Sequence, residues 1–105
     1  MVNRREMGPD AVELEVSGDL NGSTLPDFRA ALYGELDVNT HHVGVDLGEV
    51  RTISSAAIGT ILLFQKRASE RECTISITRI SPELLKIFSA IRIESIVRIE
   101  GTSAS

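Results

Sequence analysis

Segments with two different hydrophobic periods alternate along this chain, and this alternation limits the folds it can adopt. Val12, Leu14 and Val16 are separated by polar residues, a period of two that is typical of a half-buried strand. After a turn-forming stretch, 18–22, apolar side chains recur at helical spacing, which predicts a helix. The face of this helix consists of Leu25, Phe28, Leu32 and Leu36. Strand and helix segments then alternate further, which favours right-handed crossovers and a mainly parallel sheet.

Turns and short apolar runs define the next elements. Gly8-Pro9-Asp10 is a turn signal, so residues 2–7 are expected to form the first arm of a hairpin. The nearly unbroken apolar run 43–47 is typical of an interior parallel strand that is covered on both faces. A second helix is expected from about Ser55 to Glu70, and another strand over Cys73–Thr78.

Ser81-Pro82-Glu83 carries the signals of a third helix: a capping serine, proline at the first position and an acid in the first turn. Ile96–Ile99 is expected to be a short last strand. The predicted fold class is α/β: one domain over residues 1–100 and a flexible tail over 101–105. Its mixed sheet would have four to five strands, an N-terminal hairpin followed by parallel strands, with three to four helices. The buried stripe expected for the third helix is Leu84, Leu85, Phe88 and Ile91.

Composition and charge exclude several classes of function. The formal net charge is −4, whereas binding to a phosphate backbone requires a basic face, so no nucleic-acid partner is expected. No run of about 18 apolar residues occurs, so direct insertion into a membrane is not expected. Cys73 is the single cysteine, which excludes an intrachain disulfide and favours a reducing, cytoplasmic location.

Residue types that catalyse reactions or bind metals occur here without the spacing that such sites require. His41 and His42 are adjacent and so point in different directions, and no cysteine or carboxylate cluster lies at ligand spacing. The glycines form no phosphate-binding loop, and no Gly-x-Ser-x-Gly pattern surrounds Ser54 or Ser55. We therefore expect no catalytic residue, no metal site, no cofactor and no enzyme activity.

The serine pair Ser54-Ser55 lies between the strand 43–47 and the apolar run that starts at Ile58. A hydroxyl at this position can cap the free backbone N–H groups at a helix N-terminus. A phosphate there would meet the positive end of the helix dipole. The residues alone leave two roles open, a helix cap and a phosphorylation switch.

The second helix is unusual because its expected outer face carries no charge for two turns, where a surface helix ordinarily has charged residues. That face consists of Ala56, Gly59, Thr60 and Leu63. Small and apolar residues of this kind can form the docking surface for a partner protein. Another element of the chain can equally cover them, and the sequence leaves both possibilities open.

Four passages resemble the STAS domain of anti-sigma-factor antagonists, a family of bacterial sporulation and stress regulators. They are similar to the family's Gly-Glu-Leu-Asp turn, its Asp-Leu strand, its Asp-Ser-Ser-Gly helix start and its Ser-Pro third helix. The match follows the family's order over nearly the whole chain. The passages are Val16–Asn21, Val43–Val50, Ile53–Gly59 and Ile80–Phe88.

The resemblance implies a protein-binding regulator of transcription. In the family, the serine after the Asp is phosphorylated by an anti-sigma factor that is also a serine kinase of the GHKL type. The unphosphorylated antagonist binds this kinase and thereby releases the sigma factor, whereas the phosphorylated form does not bind. By its position in the motif, Ser55 is the implied phosphorylation site, and Ser54 is the alternative. The protein is expected to be a monomer or a weak homodimer. The partner-binding residues, counting the outer helix face, would be Asn21, Ser54, Ser55, Ala56, Gly59, Thr60 and Leu63.

Four positions near the implied site differ from the family pattern, two of them because Ala56-Ala57 stand where the family has Ser-Gly. Ser54 and Asn21 stand where the family has Asp, so two carboxylates are missing. Such carboxylates can position a hydroxyl, accept its proton or contact the kinase. The alternative function is therefore a STAS domain that binds without being phosphorylated, as a stressosome-like scaffold or as a lipid-transport subunit.

Overall fold

The succession of strands and helices predicted from the sequence is present in the computed structural model, which describes residues 1–102. A 3-10 turn, Ile93–Ser95, precedes the last strand. The strands are β1 (Val2–Gly8), β2 (Ala11–Leu20), β3 (His42–Ile53), β4 (Thr74–Ile80) and β5 (Arg98–Ile99). The helices are α1 (Leu25–Asp37), α2 (Ser55–Ser69) and α3 (Pro82–Ala90).

The strands form one sheet in the order β1-β2-β3-β4-β5. β1 and β2 are the antiparallel hairpin, and β2 through β5 are parallel. Each crossover therefore moves one strand in the same direction, and right-handed connections of this kind place all three helices on the same face. The predicted α/β class with a mixed sheet is confirmed, and the sheet has one face without a helical layer.

Residues 43–47 of β3 are all buried, as predicted for a strand covered on both faces, but helices cover one face and side chains of neighbouring strands cover the other. Val43, Val45 and Leu47 are fully buried in the core. The residues that alternate with them are Gly44 and Asp46, so the run has a period of two after all. It looked continuous because glycine has no side chain and is easily counted with the apolar residues.

On the face without helices, two buried carboxylates are held in ion pairs with arginines. Asp46 is 6% exposed and lies 3.5 Å from Arg79, and Glu13 pairs with Arg5. Burial without a partner would be costly for either carboxylate, and the arginine side chains both cover and neutralise them.

α3 differs from the prediction at its end. Leu84 and Phe88 are buried as expected, but Ile91 is 50% exposed. The helix ends at Ala90, and the chain then reverses through Arg92 at φ 59°, so Ile93 takes the buried place instead. Sequence spacing assumed that the helix continues past Ile91.

The chain end is only partly described. β5 starts two residues later than predicted, because the N–H groups of Ile96 and Val97 bond to the carbonyl of Ile93 in the 3-10 turn, and Val97 is buried between turn and strand. Thr102 forms an isolated bridge with Ile80. The remaining residues of the predicted flexible tail, 103–105, lie outside the described residues, so flexibility there stays a prediction.

A buried carboxylate fastens β1 to α1. Glu35 is 4% exposed, and it accepts hydrogen bonds from Arg4 Nε at 2.7 Å and from Thr40 Oγ1 at 2.7 Å. Burial alone would raise the pKa of Glu35, but these hydrogen bonds and the charge of Arg4 together lower it below its usual value. The charged form is therefore favoured in the folded protein.

Candidate functional site

The junction between β3 and α2 is built around Ser54. Its backbone is extended, with φ −84° and ψ 159°, and its hydroxyl oxygen accepts a hydrogen bond from the N–H of Ala57 at 3.1 Å. Its own N–H donates to the carbonyl of Leu20 at 2.9 Å, which holds the junction against the end of β2. Ser54 is therefore the N-cap of α2, so its hydroxyl already has a structural function.

Ser55 is in a different situation from its neighbour. It is the first residue of α2 and is exposed, and its hydroxyl makes no hydrogen bond within residues 1–102. The first turn of the helix contains no acidic residue, so nothing there opposes an added negative charge. Geometry thus separates the two serines into a cap and an accessible hydroxyl.

A shallow groove of about 340 Å³ runs between α1 and α2 beside this junction. Ala56 and Gly59 are exposed along it, and Leu63 is 51% exposed. These three residues form the uncharged outer strip that the sequence predicted. The groove is lined by Arg29, Tyr33, Ala56, Gly59, Thr60 and Leu63.

The prediction that Thr60 lies on the outer face is wrong. Thr60 is 6% exposed, and its hydroxyl donates to the carbonyl of Ala56 at 2.9 Å. The buried stripe of α2 turns towards α1, where Tyr33 meets Phe64 edge to face at 5.4 Å. Thr60 precedes Phe64 by one turn and so lies on the floor of the groove, with only its edge accessible.

Asn21 organises the loop between β2 and α1. Its side-chain oxygen accepts hydrogen bonds from the N–H of Ser23 at 3.1 Å and from the Ser23 hydroxyl at 3.0 Å. Thr24 occupies the N-cap position of α1, but its hydroxyl donates to the carbonyl of Asp19 at 2.7 Å and caps no helix N–H. Asn21 thus shapes the turn, and its partner-binding role stays a prediction.

Sequence reasoning missed two pairs of residues near this site. Thr52 donates a hydrogen bond to Asp19 Oδ1 at 2.9 Å, and both side chains are exposed. The sequence could have indicated this pair by its position, because both residues lie near the carboxyl ends of neighbouring parallel strands. Arg29 and Tyr33 lie one turn apart on α1 and supply the opposite wall of the groove.

The histidines and the acidic residues of the sheet do not form a shared site with these groups. His41 Nδ1 lies 3.2 Å from Asp10 Oδ2, and His42 Nδ1 lies 2.8 Å from Thr74 Oγ1. Carboxylate oxygens of three residues on the helix-free face lie within 4.8 Å of one another, but arginines pair with two of them. The three are Glu13, Glu15 and Asp46.

Cys73 is 3% exposed and packs in the core, as expected for a small apolar residue, and burial raises the pKa of its thiol. Among the helices described, none combines the length and the apolar character needed to span a bilayer.

The structure is thus a one-sided α/β domain with an accessible serine at the start of α2, beside a groove between α1 and α2. A family model described as "Mlab, STAS domain" matches residues 3–98. The chain therefore belongs to the STAS-domain family, and the resemblance noted in the sequence is confirmed.

Individual relatives agree with this assignment. A STAS-domain containing protein of Pseudomonas aeruginosa (strain UCBPP-PA14) is 28% identical over 86 residues, which covers 82% of this chain and 84% of the relative. An anti-sigma factor antagonist from Mycobacterium paratuberculosis superposes with a TM-score of 0.82 at 12% identity, over 94% of this chain and 83% of that one. The phosphorylated Bacillus cell fate determinant SpoIIAA gives 0.75 at 12% identity, over 94% and 90%. At these identities, the two structures show that the fold is shared.

Proposed function

We propose that this protein is an anti-sigma-factor antagonist that binds an anti-sigma factor of the GHKL serine-kinase type and is switched off by phosphorylation at Ser55. The observation that carries the proposal is the exposed, unbonded Ser55 hydroxyl at the first position of α2, next to the groove. The fold supports it because structures of antagonists, one of them phosphorylated, superpose over most of the chain.

The partner surface in this proposal is the groove and its rim. Leu63 and the small residues Ala56 and Gly59 allow a partner's apolar side chains to pack closely against α2. Arg29 on the α1 wall provides a positive charge for an acidic group of the partner. Ser54 donates its N–H to the carbonyl of Leu20, the residue before Asn21, so both Asn21 and Ser54 lie near the start of α2, where they would contact the same partner.

A phosphate at Ser55 opposes this binding for two physical reasons. It adds about two negative charges at pH 7, and the N-terminus of α2 stabilises them in the free protein. In the complex, the same dianion must lose water next to an apolar interface, which is costly. Because the free form is favoured and the complex is disfavoured, one phosphate shifts the equilibrium towards release.

In this cycle the partner kinase supplies the nucleotide and transfers the phosphate to Ser55. The proposed setting is the cytoplasm, and the proposed state is a monomer or weak homodimer.

Phosphorylation with a purified GHKL-type kinase from the source genome and Mg-ATP tests the assignment of the acceptor. We expect fragment mass spectrometry to locate phosphate on Ser55, and Ser55→Ala to remove that phosphate. Ser69→Ala, which removes an exposed hydroxyl at the other end of α2, is the matched control and should leave it unchanged. An unmodified Ser55 after incubation with every kinase of this type in the genome contradicts the switch.

A second candidate is a STAS domain that binds constitutively, as a scaffold or as a lipid-transport subunit. Two observations favour it. Neither Ser54 nor Asn21, which stand at the family's Asp positions, carries a carboxylate, and both side chains are used structurally, Ser54 as a helix cap and Asn21 in a turn. If the domain binds constitutively, Ser55→Glu should leave partner affinity unchanged, whereas Leu63→Glu should abolish binding. If the protein is a switched antagonist, both substitutions should weaken partner affinity.

A further inference from the structure

The hydrogen bond between Thr52 and Asp19 creates a second candidate acceptor near the switch. Thr52 Oγ1 lies 2.9 Å from Asp19 Oδ1, and both side chains are exposed. Leu20 and Ile53, the next residues along, are register partners in β2 and β3, and the register shifts between Gly18 and Leu20, so Asp19 lies at an irregularity of the ladder beside Thr52. The side-chain hydrogen bond then places the hydroxyl against the carboxylate.

The three hydroxyls around the junction are chemically different. Ser54 Oγ accepts the N–H of Ala57 and is used as a cap, and Ser55 Oγ makes no hydrogen bond within the described residues. Only Thr52, among the three, already donates its proton to a carboxylate. A hydroxyl becomes a better nucleophile when a positioned base takes its proton, and such catalysis contributes about 10²–10⁴-fold.

We propose that Thr52 is a further phosphate acceptor of this protein and that Asp19 is the proton acceptor for the transfer; the inference rests on the proposed partnership with a kinase. Thr52 Oγ1 attacks the γ-phosphorus of ATP held by the kinase, and a new oxygen–phosphorus bond forms. The bond from the γ-phosphorus to the bridging oxygen breaks, ADP leaves, and the hydroxyl proton passes to Asp19 Oδ1. The carboxylate absent at Ser54 and Asn21 is thereby supplied from Asp19.

Phosphate on Thr52 changes the loop that bears Asn21. The dianion repels the Asp19 carboxylate at hydrogen-bond distance, so the link between β3 and this loop breaks. The carbonyl of Asp19 also accepts the hydroxyl of Thr24, and that hydroxyl in turn accepts the N–H of Asn21 at 3.0 Å. Displacing Asp19 therefore loosens the turn at the end of the groove.

Thr40 provides an internal control for this chemistry. Its hydroxyl also donates to a carboxylate, Glu35, at 2.7 Å, but Thr40 is 6% exposed and no kinase can reach it. If a hydroxyl–carboxylate pair needs accessibility to react, Thr52 is modified and Thr40 is not.

The experiment uses the full chain in a Ser55→Ala background, so that the proposed main acceptor does not contribute. The purified GHKL-type kinases of the source genome and Mg-ATP are the probe, and trypsin releases residues 30–51, which include Thr40, and residues 52–66, which include Thr52, for fragment mass spectrometry. We expect phosphate on Thr52, none on Thr40, and a rate about 10²-fold lower when Asp19→Asn is added. Thr52→Ser should retain the acceptor, and circular dichroism confirms that each variant folds.

Each outcome decides the inference. Phosphate on Ser55 in the wild-type protein, with none on Thr52 in the Ser55→Ala background, overturns it and leaves the proposed function intact. Phosphate on Thr52 that forms equally fast with Asp19→Asn also overturns it, because Asp19 then accepts no proton. A protein that accepts no phosphate on either residue contradicts both proposals.

Discussion

At the scale of single residues, adjacent side chains of the same type have separate functions. Ser54 caps α2 through its hydroxyl, whereas the Ser55 hydroxyl is exposed and unbonded within the described residues. The sequence could place both at a helix start, but it could not decide which serine is the cap. That distinction depends on the backbone angles of Ser54, which are set where β3 ends.

Because Ser54 caps α2 and Ser55 does not, replacing each serine with alanine should change the free energy of unfolding by different amounts. Ser54→Ala should lower the free energy of unfolding by about 1 kcal/mol, because a capped N–H loses its acceptor. Ser55→Ala should change it by less than about 0.5 kcal/mol. Ser81→Ala is the matched control, since Ser81 caps α3 through the N–H of Leu84 at 3.3 Å. Urea titration measures all three, and equal costs at positions 54 and 55 would contradict the assignment.

Glu35 gives a prediction that depends on pH. Because its pKa is lowered in the folded state, its contribution to stability is present above the usual carboxyl pKa and is lost as pH falls through the folded-state pKa. Glu35→Gln should therefore be less stable than wild type at pH 7, by about 1–3 kcal/mol. The difference should shrink in strong acid, where the wild-type carboxylate is protonated. A difference that is constant in urea titrations from pH 7 to pH 3 would contradict this account.

At the scale of elements, α2 combines a buried stripe with a smooth outer strip. The sequence predicted Ala56, Gly59 and Leu63 on that strip correctly, because helical spacing alone places them there. It misplaced Thr60, because the width of the buried stripe depends on how closely α1 packs against α2. Arg29 and Tyr33 were missed for the same reason. The groove is formed by two helices together, and the sequence of one helix alone does not predict it.

Gly59 allows the strip to be tested without loss of stability. A Cβ built at Gly59 meets no atom within 4 Å, so Gly59→Ala should stabilise α2 by about 0.5–1 kcal/mol. The added methyl group fills part of the groove, so affinity for the anti-sigma factor should fall.

Gly34→Ala in α1 is the matched control, because Gly34 also has no atom within 4 Å of a built Cβ and does not line the groove. It should raise stability to a similar degree and leave affinity unchanged. Thermal unfolding and titration calorimetry measure the two effects, and unaltered binding by Gly59→Ala would show that the partner does not use this strip.

At the scale of the whole molecule, topology explains which parts of the fold were predictable. The order of strands and helices followed from hydrophobic periods, because each period reports one local structure. The one-sided layering follows from adjacent right-handed crossovers and cannot be seen in the period of β3 alone, where Gly44 conceals the alternation. The contact between Thr52 and Asp19 joins residues 33 positions apart, so only the register of β2 and β3 reveals it.

The start of α2, the groove beside it and the loop at Asn21 would serve one event in the proposed function: binding that ends when Ser55 is phosphorylated. Phosphorylation would make the start of α2 more negative in a protein whose net charge is already −4.

The most direct test is titration calorimetry of the purified anti-sigma factor with the protein in two forms, unmodified and phosphorylated at Ser55 alone. We predict that the unmodified form binds and that the phosphate weakens binding at least about tenfold, a change of about 1.4 kcal/mol. Equal affinity of the two forms would contradict the switch and would leave a STAS domain that binds its partner constitutively.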